Sequence, residues 1–192
     1  MNRCARIALA AVLAVCGIAG ARAAQSGEAG RIVAYLLELA RNQQFLEQQI
    51  ASETAGEPVL EALTREAMKG YRYEDLGRRL APVLQGRLSD AQAGQCMAFI
   101  GSPTGSAALA AMHAAQGDTQ KLMVRLSAPD RDRTLAFLDS SCVKTVVAAM
   151  ASPEGQDVLN DYGRHLVCDH IARTAPGALP TMHAQGACRA FR

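Results

Sequence analysis

An all-α fold is predicted by three observations. Apolar residues recur at helical spacing along most of the chain, serine-led helix starts repeat at a fixed interval, and the 192 residues are rich in alanine and lack tryptophan. A core built without large rings requires closely packed helices. No run of alternating apolar and polar residues lies between hairpin turns, so no strand is predicted.

Residues 1–23 read as an export signal. Arg3 and Arg6 form a positive start, Ile7 to Ile18 is an apolar stretch short for a bilayer span, and Ala21-Arg22-Ala23 is a small-x-small cleavage site. Cleavage leaves a mature chain of about 169 residues, the size of one domain with its own core. Cys16 follows Leu13-Ala14-Val15, but Val15 is larger than a lipid-attachment site wants, so a lipid anchor is not expected. The predicted location is the periplasm or the exterior of a bacterial cell, with no transmembrane segment left after cleavage.

From Glu28 to Ser52, Ile32, Val33, Leu36, Leu37, Leu39, Ala40, Leu46 and Ile50 predict one long amphipathic helix. Ala55-Gly56-Glu57-Pro58 breaks it, and Val59, Leu60, Leu63, Ala67 and Met68 mark a second helix ending near Gly70. A third segment runs from Tyr73 to about Gln85, with Pro82 implying either a kink or a start near Ala81.

The middle of the chain repeats at 38 residues. Leu88-Ser89 recurs as Leu126-Ser127, Ala98-Phe99-Ile100 as Ala136-Phe137-Leu138, Ser102 as Ser140, and Ala110-Ala111-Met112 as Ala148-Ala149-Met150. Ser89 with Gln92 forms a capping-box pattern, and Ser127-Ala128-Pro129-Asp130 places a cap, a proline and an acid at a helix start. Residues 88–112 and 126–150 thus read as two degenerate helix-turn-helix copies within one domain, 24–173. Ser102-Pro103-Thr104-Gly105 and Ser152-Pro153-Glu154-Gly155 share a serine cap and a proline in the first turn. After Ser152 a helix runs to about Ile171, and Pro176, Gly177, Pro180 and Gly186 make 174–192 an irregular tail. Six to eight helices in antiparallel hairpins, packed as a degenerate repeat or bundle, are expected.

The stretch Leu88-Ser89 followed by Ala98-Phe99-Ile100-Gly101-Ser102-Pro103-Thr104-Gly105-Ser106 resembles a family of secreted bacterial helical proteins known only as a domain of unknown function. Members combine an L-[ST] helix start with an aromatic, two residues and then S-P-x-G. The resemblance spans about Tyr71 to Met112. It implies an exported helical domain and lends no catalytic residues. Four mature cysteines, a second S-P-x-G and the extended tail depart from that pattern.

Loss of the leader removes Arg3, Arg6 and Arg22, leaving 17 basic against 18 acidic residues. Such a balance carries no electrostatic footprint for nucleic acid or anionic lipid. Cys96, Cys142, Cys168 and Cys188 remain, an even number in an oxidising compartment, and two disulfides are expected. Three pairings are open. Cys168 with Cys188 would tether the tail, leaving Cys96 to pair with Cys142.

The densest group of ligand-type side chains is His165, Cys168, His170, His183 and Cys188, which would make a metal-binding or enzymatic protein if the tail folded back. Against it, His165 and His170 lie five apart on a helix, and the two cysteines favour bonding to each other. Met112-His113 and Met182-His183 are possible copper ligands, yet Met97, Met112, Met123 and Met150 fit the gap-filling role between helices. Ser102 and Ser152 precede prolines at helix starts and lack the strained turn of a serine nucleophile. Cys168 near His165 or His170 is the only pairing for thiol catalysis, and no C-x-x-C occurs. Glu53, Glu57, Glu61 and Glu66 read as solvated helix faces, and Glu74-Asp75 beside Arg72, Arg78 and Arg79 as local ion pairs. The expectation is a non-enzymatic binding protein of the cell envelope, without cofactor, that takes a protein or peptide partner in the manner of a chaperone, inhibitor or immunity protein.

Overall fold

The computed structural model describes residues 27–41, 43–45, 47–48, 58–116, 118–180 and 188. The leader, the predicted helix beyond residue 48, Met182, His183 and Gly186 lie outside the described residues. The fold is all-α, with no strand among the described residues.

Helix α1 spans 27–39. Instead of presenting one apolar stripe, it buries every residue from Ile32 to Leu37, so it is a central rather than a peripheral helix. It also stops earlier than its periodicity predicts. Arg41 adopts a left-handed backbone at φ 51°, which ends the helical run before further helical residues at 43–45 and 47–48. The apolar spacing continues across this break, and no glycine or proline marks it.

Helix α2 (Pro58–Met68) and α3 (Tyr73–Leu80) follow, and Pro82 produces a tighter 3-10 turn over Ala81–Leu84. At the crossing of α1 and α3, a Cβ on Gly77 would lie 2.3 Å from the Gly30 carbonyl oxygen. Only glycine lets the two backbones meet there.

The remaining helices are α4 (Asp90–Ile100), α5 (Pro103–Ala115), α6 (Thr119–Arg125), α7 (Ala128–Leu138), α8 (Ser141–Met150) and α9 (Pro153–Thr174). The starts and first-helix ends of the two copies coincide at the 38-residue offset. Ser89, Ser102, Ser127 and Ser140 each accept a hydrogen bond from the backbone N–H three residues on. Helix α9 runs one turn further than its apolar stripe suggests, and a 3-10 turn at Pro176–Ala178 gives the start of the tail more order than its prolines imply.

The copies meet crosswise, α4 against α8 and α5 against α7. Phe99 and Phe137 stack at 3.9 Å between centroids, and Tyr35 of α1 meets both rings edge-on while its hydroxyl donates to the Gly105 carbonyl at 2.9 Å. One apolar core thus joins α1 to the paired copies. Helix α9 packs on α2 and α3, beside a smaller apolar cluster of Ile171, Leu60, Leu63, Val167 and Leu179 around Cys168 and Cys188.

The two S-P-x-G corners owe their glycine to geometry. Ser102 Oγ accepts from the Gly105 N–H at 3.0 Å and donates to the Phe99 carbonyl at 2.7 Å; Ser152 does the same with Gly155 at 3.3 Å and Ala149 at 2.6 Å. A Cβ on Gly105 or Gly155 would fall 2.3 Å from the carbonyl oxygen of Phe99 or Ala149. The serine therefore stitches two helices so tightly that no side chain fits at the glycine three residues on.

Candidate functional site

The four described cysteines are paired: Cys96 with Cys142 at 2.01 Å and Cys168 with Cys188 at 2.05 Å. Cys96 and Cys142 are fully buried in the main core, whereas Cys168 and Cys188 join α9 to the tail. A disulfide sulfur is neither a thiolate ligand nor a nucleophile, so two members of the predicted metal group are committed elsewhere. His165 and His170 both lie partly buried on α9, His183 is outside the described residues, and among those described no three His, Cys, Asp or Glu side chains gather as a metal site. Met112 is buried, and Met97, Met123 and Met150 pack against the core as gap fillers. Ser102 and Ser152 have their hydroxyls engaged at helix starts.

His113 takes a role the sequence did not signal. Its Nε2 lies 2.8 Å from Glu38 Oε1, and Arg41 Nη1 lies 3.4 Å from its Nδ1. A neutral ring protonated on Nε2 satisfies both contacts, donating to the carboxylate and accepting from the guanidinium. This bridge fixes the end of α1 against the end of α5.

Beside the bridge opens a groove of about 990 Å³. One wall is α2, through Glu61, Arg65 and Lys69 over a buried Met68; the other is Arg41, Gln44, Glu47 and Gln48, and His113 and Gln116 close the end. Glu61 pairs with Arg65 at 2.5 Å, and Lys69 with Glu66, so α2 settles most of its charge internally. Among the described residues, Arg41 and Gln116 are the non-glycine residues with positive φ, at 51° and 53°, and both line this groove. Glycine would adopt that backbone at no steric cost, so a guanidinium and an amide are held at the groove against a local strain. Phe45, on the same segment as Gln44 and Glu47, is 64% exposed.

A second, smaller cleft lies between α3 and α9 on a floor of tyrosine. The Tyr162 hydroxyl donates to the Arg72 carbonyl at 3.1 Å and accepts from the Arg72 N–H at 2.9 Å, and its ring meets Tyr71 edge-on at 5.4 Å. Burial, with minor contributions from Tyr73 and Tyr162, holds the Tyr71 hydroxyl well above the ordinary phenol range, and burial also raises Tyr162. The local ion pairs expected here are only partly formed. Arg78 pairs with Asp75, whereas Arg72 turns to the carbonyls of Lys69 and Tyr71, and Arg79 sits 5.6 Å from the centre of the Tyr162 ring.

Comparison with protein-family models, with curated proteins and with solved structures returns no match for this chain.

Proposed function

We propose that this chain is an exported, non-enzymatic binding protein of the bacterial cell envelope, which seats a peptide segment of a partner protein in the groove between α2 and residues 41–48. The observation that carries the reading is the pair of strained residues, Arg41 and Gln116, at that groove. Both residues end helices, α1 and α5, where a left-handed backbone is common, and it is the side chain kept there in place of glycine that points to the groove. Gln44, Gln48 and Gln116 each offer an amide donor and acceptor, the combination that an extended peptide backbone matches. Phe45, exposed on the same segment though outside the groove lining, offers an aromatic contact to a partner that extends past the groove.

Export is supported by the paired sulfurs, since disulfides persist in oxidising compartments, and among the described residues no helix is long and apolar enough to cross a membrane. The non-enzymatic part rests on where chemistry-bearing groups are engaged: cysteines in disulfides and serines on helix caps. The S-P-x-G stretch is read, on the same terms, as belonging to an exported helical family without an assigned activity. Extended concave surfaces of stacked repeats do not support the proposal, because the two copies cross rather than stack.

The test uses the exported protein carrying a photo-crosslinker at Arg65, with a control carrying it at Arg133 on α7. One discrete crosslinked partner from position 65, lost on Gln116→Gly and absent from position 133, is the expected result. Equal labelling from both positions, or turnover of a substrate by the purified protein, overturns the reading.

A further inference from the structure

We propose that the cleft between α3 and α9 binds a small zwitterion of the α-amino-acid class, its carboxylate on Arg79 and its ammonium on Asp169. The cleft is about 420 Å³, within the range of small-molecule sites. Asp75 and Arg78 neutralise each other within α3. Arg79 on one wall and Asp169 on the other have no ion-pair partner among the described residues, and no ion pair joins them to each other across the gap. Opposed, uncommitted charges of opposite sign are answered by one ligand that carries both, and by neither a simple anion nor a simple cation.

Both charges are exposed, and on the Arg79 side the floor is held in place before any ligand arrives. Tyr162 is 3% exposed, and its hydroxyl is fixed twice to the Arg72 backbone, so the ring under Arg79 is rigid. A guanidinium over an aromatic face keeps its planar edge free for a carboxylate, to which it presents two parallel donors. Leu166, one turn before Asp169 on α9, gives the cleft an apolar surface suited to an aliphatic side chain. Two carboxylates line the same cleft and disfavour a dianionic phosphate.

The experiment is an NMR titration of the intact mature protein with each of the free amino acids and glycylglycine, and separately with acetate and with methylammonium. The expected result is saturable shifts at Leu166 and Tyr162 with at least one zwitterion. That ligand should bind at least about tenfold tighter than acetate or methylammonium. Arg79→Gln and Asp169→Asn should each weaken it about tenfold, with Arg133→Gln unchanged and all variants melting like the parent. No saturable shift with any amino acid, acetate binding as tightly as the zwitterions, or variants binding like the parent would each overturn the proposal. Crosslinking at the α2 groove does not enter this test, so either reading can fail alone.

Discussion

Phe99 and Phe137 occupy the same position in the two 38-residue copies and lie face to face, their rings 3.9 Å apart and 6° from parallel. Stacking of equivalent residues, together with α4 on α8 and α5 on α7, is the contact pattern of a local two-fold. The third-turn-position side chains follow the same exchange. Gln92, which completes the cap on α4, donates across to Thr145 of α8 at 3.1 Å, and its counterpart Asp130 on α7 accepts across from Thr104 of α5 at 2.8 Å. Gln92 thus completes its own helix cap and holds the other copy, while Asp130 accepts from the capping Ser127 hydroxyl and holds the other copy.

Truncating the stack should be costly and coupled. Phe137→Ala is expected to lose about 3 kcal/mol in urea unfolding, and Phe99→Ala, which is less buried, somewhat less. The double variant should fall short of the sum by about 1 kcal/mol, because each single change already forfeits the ring–ring contact. Strict additivity would show that the rings stabilise the fold independently.

Glycine-to-alanine changes should split by location. Gly105→Ala and Gly155→Ala place a Cβ 2.3 Å from a backbone oxygen and should destabilise by about 1–3 kcal/mol despite the better helix propensity. Gly94→Ala and Gly163→Ala meet nothing within 4 Å inside their helices and should stabilise by about 0.5–1 kcal/mol. Thermal denaturation of the four variants separates the classes by sign.

Relieving the groove's backbone strain should oppose function to stability. Gln116→Gly removes the penalty of φ 53° and is expected to raise stability by about 0.5–1 kcal/mol, while crosslinking from position 65 falls. A stabilised variant with undiminished crosslinking would detach the strain from binding.

The two disulfides should report different regions. By the chain-entropy account, a double alanine replacement of Cys96 and Cys142, 46 residues apart, loses about 4 kcal/mol, and of Cys168 and Cys188, 20 apart, about 3 kcal/mol. The first pair sits in the main core and should lower the global midpoint. The second ties a satellite cluster and should mainly admit protease after Thr174, as limited proteolysis with mass analysis would reveal.

Acid sensitivity should include Asp130. The Ser127 hydroxyl, and after it the Thr104 hydroxyl, hold its carboxyl below the ordinary value. A depressed folded-state pKa contributes stability that is present above the unfolded value of about 3.9 and is lost as pH falls through the lower folded value. Asp130→Asn should therefore show a shallower fall in melting temperature below about pH 4 than the parent.

Helix starts were readable because their cause is local. A serine and a backbone N–H three residues on, with a proline one or two places after Ser102, Ser127 and Ser152, are neighbours in the chain, and each cap lies where its serine predicts. The candidate sites were less readable. Arg79 looked like a member of an ion-pair cluster with Glu74 and Asp75, and only Tyr162, distant in sequence, explains where it goes. The break at Arg41 was hidden because apolar spacing persists beyond it and its left-handed residue is not a glycine.

What the sequence alone determined is the all-α class, the serine-capped helix boundaries and the 38-residue period, all consequences of bonds made within a few residues. Tertiary structure decided that the copies cross at Phe99 and Phe137, that Gly77, Gly105 and Gly155 stand where backbones touch, and that Arg41 and Gln116 meet at one groove. The reason is physical. Hydrogen bonds of a cap have fixed short reach, whereas packing selects among many arrangements of the same helices by shape, which no local pattern encodes.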